Sequence, residues 1–203
     1  MTRRFVLATA NPDKAAEIAA ILGDSGLDLE LVPRPADVRE VEETGATIEE
    51  NARLKAVALC TQTGLPAIAD DTGLDVDALG GAPGVHSARF AGRDATYADN
   101  VRQLLARLEG VPAAQRTARF TTVAIARFPD GREVVARGHV EGAVTERPRG
   151  DQGFGYDPVF VPEGAGGRTF AEMTAAEKHA RSHRGAAFRT LVDRLQAVLQ
   201  TER

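Results

Sequence analysis

A chain of 203 residues with 43% hydrophobic and 27% charged residues can bury a real core in one generous domain, which excludes a disordered chain. Its formal charge of −4, with no basic block, excludes a surface that coats nucleic acid. The apolar run Phe5-Val6-Leu7-Ala8 is too short for a signal peptide core, no stretch reaches membrane-spanning length, and the single Cys60 excludes an internal disulfide and fits a reducing cytosol.

Arg4 to Thr9 reads as a buried strand. Asn11 caps a helix with Pro12 in its first turn, Ala15, Ile18, Ala19 and Leu22 on one face, and Gly23 at its end. Leu29 to Pro33 is a second short strand, followed by an acidic loop from Pro35 to Gly45. Thr47 and Glu50 form a capping box for a second helix reaching about Thr63, with Cys60 as a core residue of that helix. Its apolar stripe is Ile48, Ala52, Ala56 and Leu59, and Lys55 falls within or beside it, one turn after Asn51. Either an anion meets Lys55 or its stem snorkels to water.

Pro66 to Ala69 is a short strand that ends on Asp70-Asp71-Thr72-Gly73, and Gly80 to Gly84 makes a tight loop. A third helix covers about Tyr97 to Glu109. Thr117 to Phe128 and Arg132 to Val144 pair as a long hairpin around Pro129-Asp130-Gly131. A glycine-rich loop, Gly150 to Asp157, leads into the strand Pro158 to Val161. Thr174 and Glu177 form another capping box ahead of Lys178, and a last amphipathic helix runs from about Ala186 to Gln200. Interleaved strands and helices with one long hairpin give an α/β class with a mixed sheet.

Only three of the 25 basic residues are lysines, Lys14, Lys55 and Lys178. A compact ammonium on a flexible stem is not equivalent to a planar guanidinium, so in a chain biased toward arginine these three are either places where arginine would not serve or survivors by chance. Each lies near a chemically suggestive segment. Thr9-Ala10-Asn11-Pro12-Asp13-Lys14 is a strand-to-helix turn whose amides and ammonium suit a phosphate, although it lacks the glycines of a Walker loop. Asp70 and Asp71 at a strand end suit Mg²⁺ and a water nucleophile. The acidic run Glu40 to Gly45 offers Glu42 or Glu43 as a further metal carboxylate. In Gly153-Phe154-Gly155-Tyr156-Asp157-Pro158, glycine allows close approach and an aromatic ring can stack on a base. Ser182-His183-Arg184-Gly185 offers donors for a purine carbonyl or N7. Each segment also has a plain structural reading, as a capped helix, a solvated turn or loop, a hairpin corner or a helix end. Together they fit a polyphosphate ester carrying a flat ring.

The segments from Val6-Leu7-Ala8-Thr9 to His183-Arg184-Gly185, nearly the whole chain, resemble the inosine/xanthosine triphosphate pyrophosphatases, the Ham1-like family. Ala67-Ile68-Ala69-Asp70-Asp71-Thr72-Gly73-Leu74, Gly80-Gly81-Ala82-Pro83-Gly84 and Ser87-Ala88-Arg89-Phe90 carry the resemblance most strongly. Phe154-Gly155-Tyr156-Asp157-Pro158 and Ser182-His183-Arg184-Gly185 are almost as specific. The resemblance implies a single ITPase-like (Maf/Ham1) α/β domain with an elongated mixed sheet flanked by helices and two lobes around one cleft. It also implies a cytoplasmic homodimer that splits ITP, dITP or XTP into monophosphate and pyrophosphate with one or more Mg²⁺ ions per subunit, without nucleic acid or membrane as partner.

By the same resemblance Thr9, Ala10, Asn11, Pro12, Asp13 and Lys14 hold phosphates, with Lys55 beside them. Asp71 is the proton acceptor and a metal ligand, together with Glu42 or Glu43, and Thr72 touches substrate. Phe154, Gly155, Tyr156, Asp157, Lys178, His183 and Arg184 line the nucleotide site. Three other readings stand beside this one. The chain can be a pyrophosphatase for modified pyrimidines, as in Maf-like proteins. It can be a phosphatase with Asp70 as covalent nucleophile, or a nucleotide sensor without turnover.

Overall fold

The computed structural model describes residues 3–36, 38 and 41–200; Glu40, the first residue of the acidic run, lies outside the described residues. The strands are β1 (Arg3–Leu7), β2 (Leu29–Val32), β3 (Ala67–Val76), β4 (Pro83–Gly84), β5 (Thr117–Arg127), β6 (Glu133–Val144) and β7 (Phe160–Pro162). The helices are α1 (Pro12–Gly23), α2 (Ile48–Thr63), α3 (Tyr97–Arg107), α4 (Ala175–Arg181) and α5 (His183–Gln200). Six strands follow one another across a seven-stranded sheet in the order β2-β1-β3-β5-β6-β7, and β4 pairs with β3. β1 runs parallel to β2 and β3, whereas β4 is antiparallel to β3 and β7 to β6, so the sheet is mixed.

Local chemistry starts the first four helices where the sequence predicts. The Asn11 side chain accepts from the amides of Asp13 and Lys14, and Pro12 follows it. Capping boxes open α2 at Thr47, α3 at Thr96 and α4 at Thr174. Cys60 is buried in α2. No helix among the described residues is long and apolar enough to cross a membrane.

Two expectations are corrected. Asp70-Asp71-Thr72-Gly73 does not end a strand; it lies inside the ten-residue β3. Turn-like composition breaks a strand only when water can take over its polar groups, and here both aspartates are buried. The last helix begins at His183 rather than Ala186, which puts His183 and Arg184 in its first turn.

The chain divides into two compact units. The first comprises residues through Asp71, Thr122–Gly138 and those from Arg184 onward; the second is Thr72–Thr121 and His139–His183. In the first unit the sheet is covered on both faces, and the strand period of two sorts its side chains. Phe5, Leu7, Ile68, Ala124 and Ala126 pack with Ile18, Ile21 and Leu22 of α1 and with Ala187, Phe188, Leu191 and Leu195 of α5. Ala69, Val123 and Ile125 on the opposite face pack with Ala52 and Ala56 of α2.

The second unit has its own core. Leu74 and Val76 meet Val101, Leu104 and Leu108 of α3, together with Phe120, Phe160 and Phe170. Its buried Arg116 donates to the carbonyls of Leu108, Val111 and Thr145 at 2.9, 3.0 and 3.1 Å, so main-chain oxygens hold that guanidinium.

Candidate active site

The pleat of β3 decides the surroundings of its two aspartates. Asp70 continues the Ile68 face, toward the elements that carry α1 and α5 side chains; Asp71 continues the Ala69 face, toward α2. Asp70 Oδ2 accepts from Arg184 Nη2 at 3.0 Å and from Nε at 3.2 Å. Arg184 Nη1 donates to Glu17 Oε2 at 2.6 Å, and the arginine is 2% exposed. Burial opposes charge on Asp70, but Lys14 and Arg184 outweigh it and hold the carboxyl far below the usual aspartate range.

Asp71 has the opposite balance. Burial is the largest influence, and it lifts the carboxyl above its ordinary value although Lys55 and Lys14 pull it down. Lys55 Nζ donates to Asp71 Oδ1 at 3.1 Å and to Glu43 Oε1 at 2.9 Å, with its side chain only 13% exposed. Burial weakens the Lys55 charge, yet Asp71, Glu43 and Asp70 together hold it above the usual lysine range. Of the two open readings for Lys55, the anion-paired one is what the structure contains. Asp71 Oδ2 and Asp70 Oδ1 are buried and accept no hydrogen bond among the described residues.

Lys14, in the first turn of α1, is held below the ordinary lysine range, chiefly by loss of water and against the pull of Asp70. Thr9 Oγ1 accepts from the Asn11 amide at 3.1 Å, which tightens the turn that carries Ala10, Pro12 and Asp13. Pro12, Asp13 and Ala10 are exposed. Of the two candidate glutamates, Glu43 joins the Lys55–Asp71 cluster, while Glu42 is exposed. Thr72 is half-buried in β3.

The second unit gathers most of the remaining candidates. Asp157 Oδ2 accepts from Lys178 Nζ at 2.6 Å and from the Phe154 amide at 2.8 Å. Lys178 is 6% exposed and sits 4.6 Å from the Phe154 ring centre. Phe154 is half-buried and tilts against the exposed Tyr97, ring centres 5.8 Å apart. Gly153 has φ +73°, and a Cβ there would overlap the Asp157 carboxylate, so only glycine lets the loop wrap that acid. Gly155 follows in the same loop. The His183 ring is buried and stacks on Phe120 at 4.4 Å.

Two of the candidate side chains have partners within the protein. Arg184 is ion-paired with Asp70 and Glu17. The Tyr156 ring belongs to the core of the second unit, and its hydroxyl donates to the Ser87 carbonyl at 2.9 Å. Burial pushes that phenol well above its ordinary value. Glu17 was not predicted. Its only sequence signal is a carboxylate next to Ile18 on the buried stripe of α1, three residues after Lys14.

Buried carboxylates held by a lysine on an α/β scaffold, as in the first unit, suit phosphate-ester hydrolysis. The chain belongs to the Ham1 family, whose pattern matches residues 5–194. A relative from Streptomyces avermitilis named dITP/XTP pyrophosphatase is 50% identical over 198 residues, covering 97% of this chain and 98% of its own. One of the same name from Symbiobacterium thermophilum is 51% identical over 199 residues, covering 98% of each. The solved HAM1 protein of Coxiella burnetii superposes with a TM-score of 0.86 at 40% identity, covering 96% of this chain and 99% of its own.

Proposed function

We propose that this chain is a nucleoside triphosphate pyrophosphatase that splits ITP, dITP and XTP into monophosphate and pyrophosphate, clearing damaged purines from the nucleotide pool. The observation that carries the reading is the Lys55 bridge, one ammonium holding Glu43 at 2.9 Å and Asp71 at 3.1 Å. Two carboxylates drawn to one ammonium face a common point, where a divalent cation would meet both. Asp71 Oδ2 adds a buried oxygen that accepts no hydrogen bond among the described residues. The donors are all oxygen, and no group of three or more metal-binding side chains occurs among the described residues, so water and phosphate oxygens would complete the shell. That set fits Mg²⁺, which keeps waters and takes few protein ligands. We assign the second ligand to Glu43 rather than Glu42.

Bound Mg²⁺ would withdraw charge from the phosphate oxygens of the substrate. Lys14, Lys55 and the first amides of α1 meet the charge that develops on the leaving pyrophosphate. Asp71 orients the attacking water at the α-phosphorus and accepts its proton. Asp70 does not attack, because its carboxylate is held by Arg184 and buried. The alternative of a covalent Asp70 phosphatase is disfavoured on that ground.

The purine falls to Phe154, Lys178 and His183. An ammonium has only donors, so Lys178, which already holds Asp157, adds a hydrogen bond to the 6-carbonyl of hypoxanthine or xanthine and none to the 6-amino group of adenine. The homodimer and the cytoplasmic location implied by the family resemblance complete the proposal, and sedimentation tests the first. The reading itself is tested by product analysis with ITP, XTP, GTP and ATP in Mg²⁺. Pyrophosphate release with ITP and XTP ahead supports it; orthophosphate release or a preference for ATP overturns it.

A further inference from the structure

Lys55 fixes only the tip of Glu43; the backbone behind it is held from α2. Glu43 is the middle residue of a tight turn closed by the Thr44 amide on the Glu42 carbonyl at 3.1 Å. The next three amides are each taken by a side chain from the first turns of α2. Gly45 N–H donates to Asn51 Oδ1 at 2.8 Å, and the Ala46 and Thr47 amides donate to Glu50 Oε2 at 2.6 and 3.2 Å. The Glu50 contacts belong to an ordinary capping box. The Asn51 contact does not, and Asn51 is fully buried, 0% exposed.

The fit at Gly45 is tight. A Cβ there would lie 2.6 Å from Glu50 Cβ and 2.8 Å from Asn51 Oδ1. Asn51 and Lys55 are four residues apart on α2 and therefore neighbours on one face. One grips the backbone two residues after Glu43, and the other grips its carboxylate.

We propose that Asn51 is a positioning residue for Glu43: by holding the Gly45 amide it fixes the turn from which Glu43 presents its carboxylate to a divalent cation. This rests on the assignment of Glu43 as a metal ligand. Residues that orient a metal ligand without touching the metal typically change affinity by about 10- to 100-fold when removed.

The test is Mn²⁺ binding to the full-length protein after chelator treatment, read by water-proton relaxation without substrate, with thermal unfolding alongside. Asn51→Ala and Gly45→Ala disturb the turn from its two sides, and each is expected to weaken Mn²⁺ roughly 10-fold or more. Leu59→Ala, which opens a cavity in the buried face of the same helix, should lower the melting temperature and leave Mn²⁺ affinity unchanged. If Glu43→Gln weakens Mn²⁺ while Asn51→Ala and Gly45→Ala bind it as tightly as wild type, the role of Asn51 is overturned and the metal assignment stands. If Glu43→Gln binds Mn²⁺ like wild type, the metal assignment fails and the role of Asn51 falls with it. Should Asn51→Ala not fold, Gly45→Ala alone decides.

Discussion

Asp70 and Asp71 are joined by one peptide bond, yet the pleat of β3 gives them different chemistry. On one face Asp70 receives two hydrogen bonds from a buried arginine, which is itself held by Glu17, and its carboxyl is held far down. On the other face Asp71 shares the Lys55 ammonium with Glu43, keeps one oxygen without a hydrogen bond among the described residues, and has its carboxyl lifted by burial. In the proposed mechanism neighbouring carboxyls driven apart in this way divide the labour: the locked one builds the site and the lifted one handles protons. A doublet of acids in a sequence is therefore not a doublet of equivalent groups.

The largest expected effect breaks the reactive side. Asp71→Asn should lower kcat for ITP by about 10²- to 10⁴-fold, the range for loss of a general base. Its melting temperature should stay within about 4 °C of wild type, since the lost carboxyl was disfavoured as an ion. Asp70→Asn should do the reverse in stability. It removes the Asp70 charge from a buried guanidinium, and urea unfolding should register a loss of about 3 to 5 kcal/mol. Equal stability losses in the two variants would erase the distinction.

The pH dependence of stability sharpens the contrast further. The Asp70 carboxyl ionises far below the 3.8 it has when unfolded, so its stabilisation is present above that value. As pH falls through 3.8 and below, the unfolded chain takes up a proton that the folded chain refuses, and the stabilisation is lost. Asp71 is raised above 3.8, so the folded chain takes its proton first and acid favours the fold at that group. The acid decline of the urea midpoint should thus be shallower in Asp70→Asn and steeper in Asp71→Asn.

A smaller pair of effects extends the contrast to the second unit. Phe154→Ala should raise KM for XTP by about 1 to 3 kcal/mol of lost stacking. Tyr156→Phe should lose only about 1 kcal/mol of stability, from its bond to Ser87, and leave KM unchanged.

What the sequence made legible was local. Asn11 before Pro12, and Thr47 before Glu50, set helix starts through contacts within three residues, and the structure follows them. Lys55 could be singled out because a charge within an apolar stripe needs a partner, although the partners themselves could not be named. The lock on Asp70 was not legible, since Arg184 reaches Glu17 across 167 residues of sequence and no local pattern records such a pair. Arg184 was legible as a donor but not as the partner of Asp70. The burial of the Tyr156 ring was not legible either, because aromatic content does not tell a core ring from an accessible one. The extent of β3 was hidden for the same reason: Asp-Asp-Thr-Gly is turn composition until charged neighbours bury it.

Hydrolysis of XTP in ¹⁸O-labelled water, followed by mass spectrometry of the products from a single turnover with enzyme in excess, tests the centre of this account most directly. Water oriented by Asp71 at the α-phosphorus puts the label in XMP and leaves pyrophosphate unlabelled. Labelled pyrophosphate, release of orthophosphate, or unlabelled XMP from an Asp70 ester would contradict it.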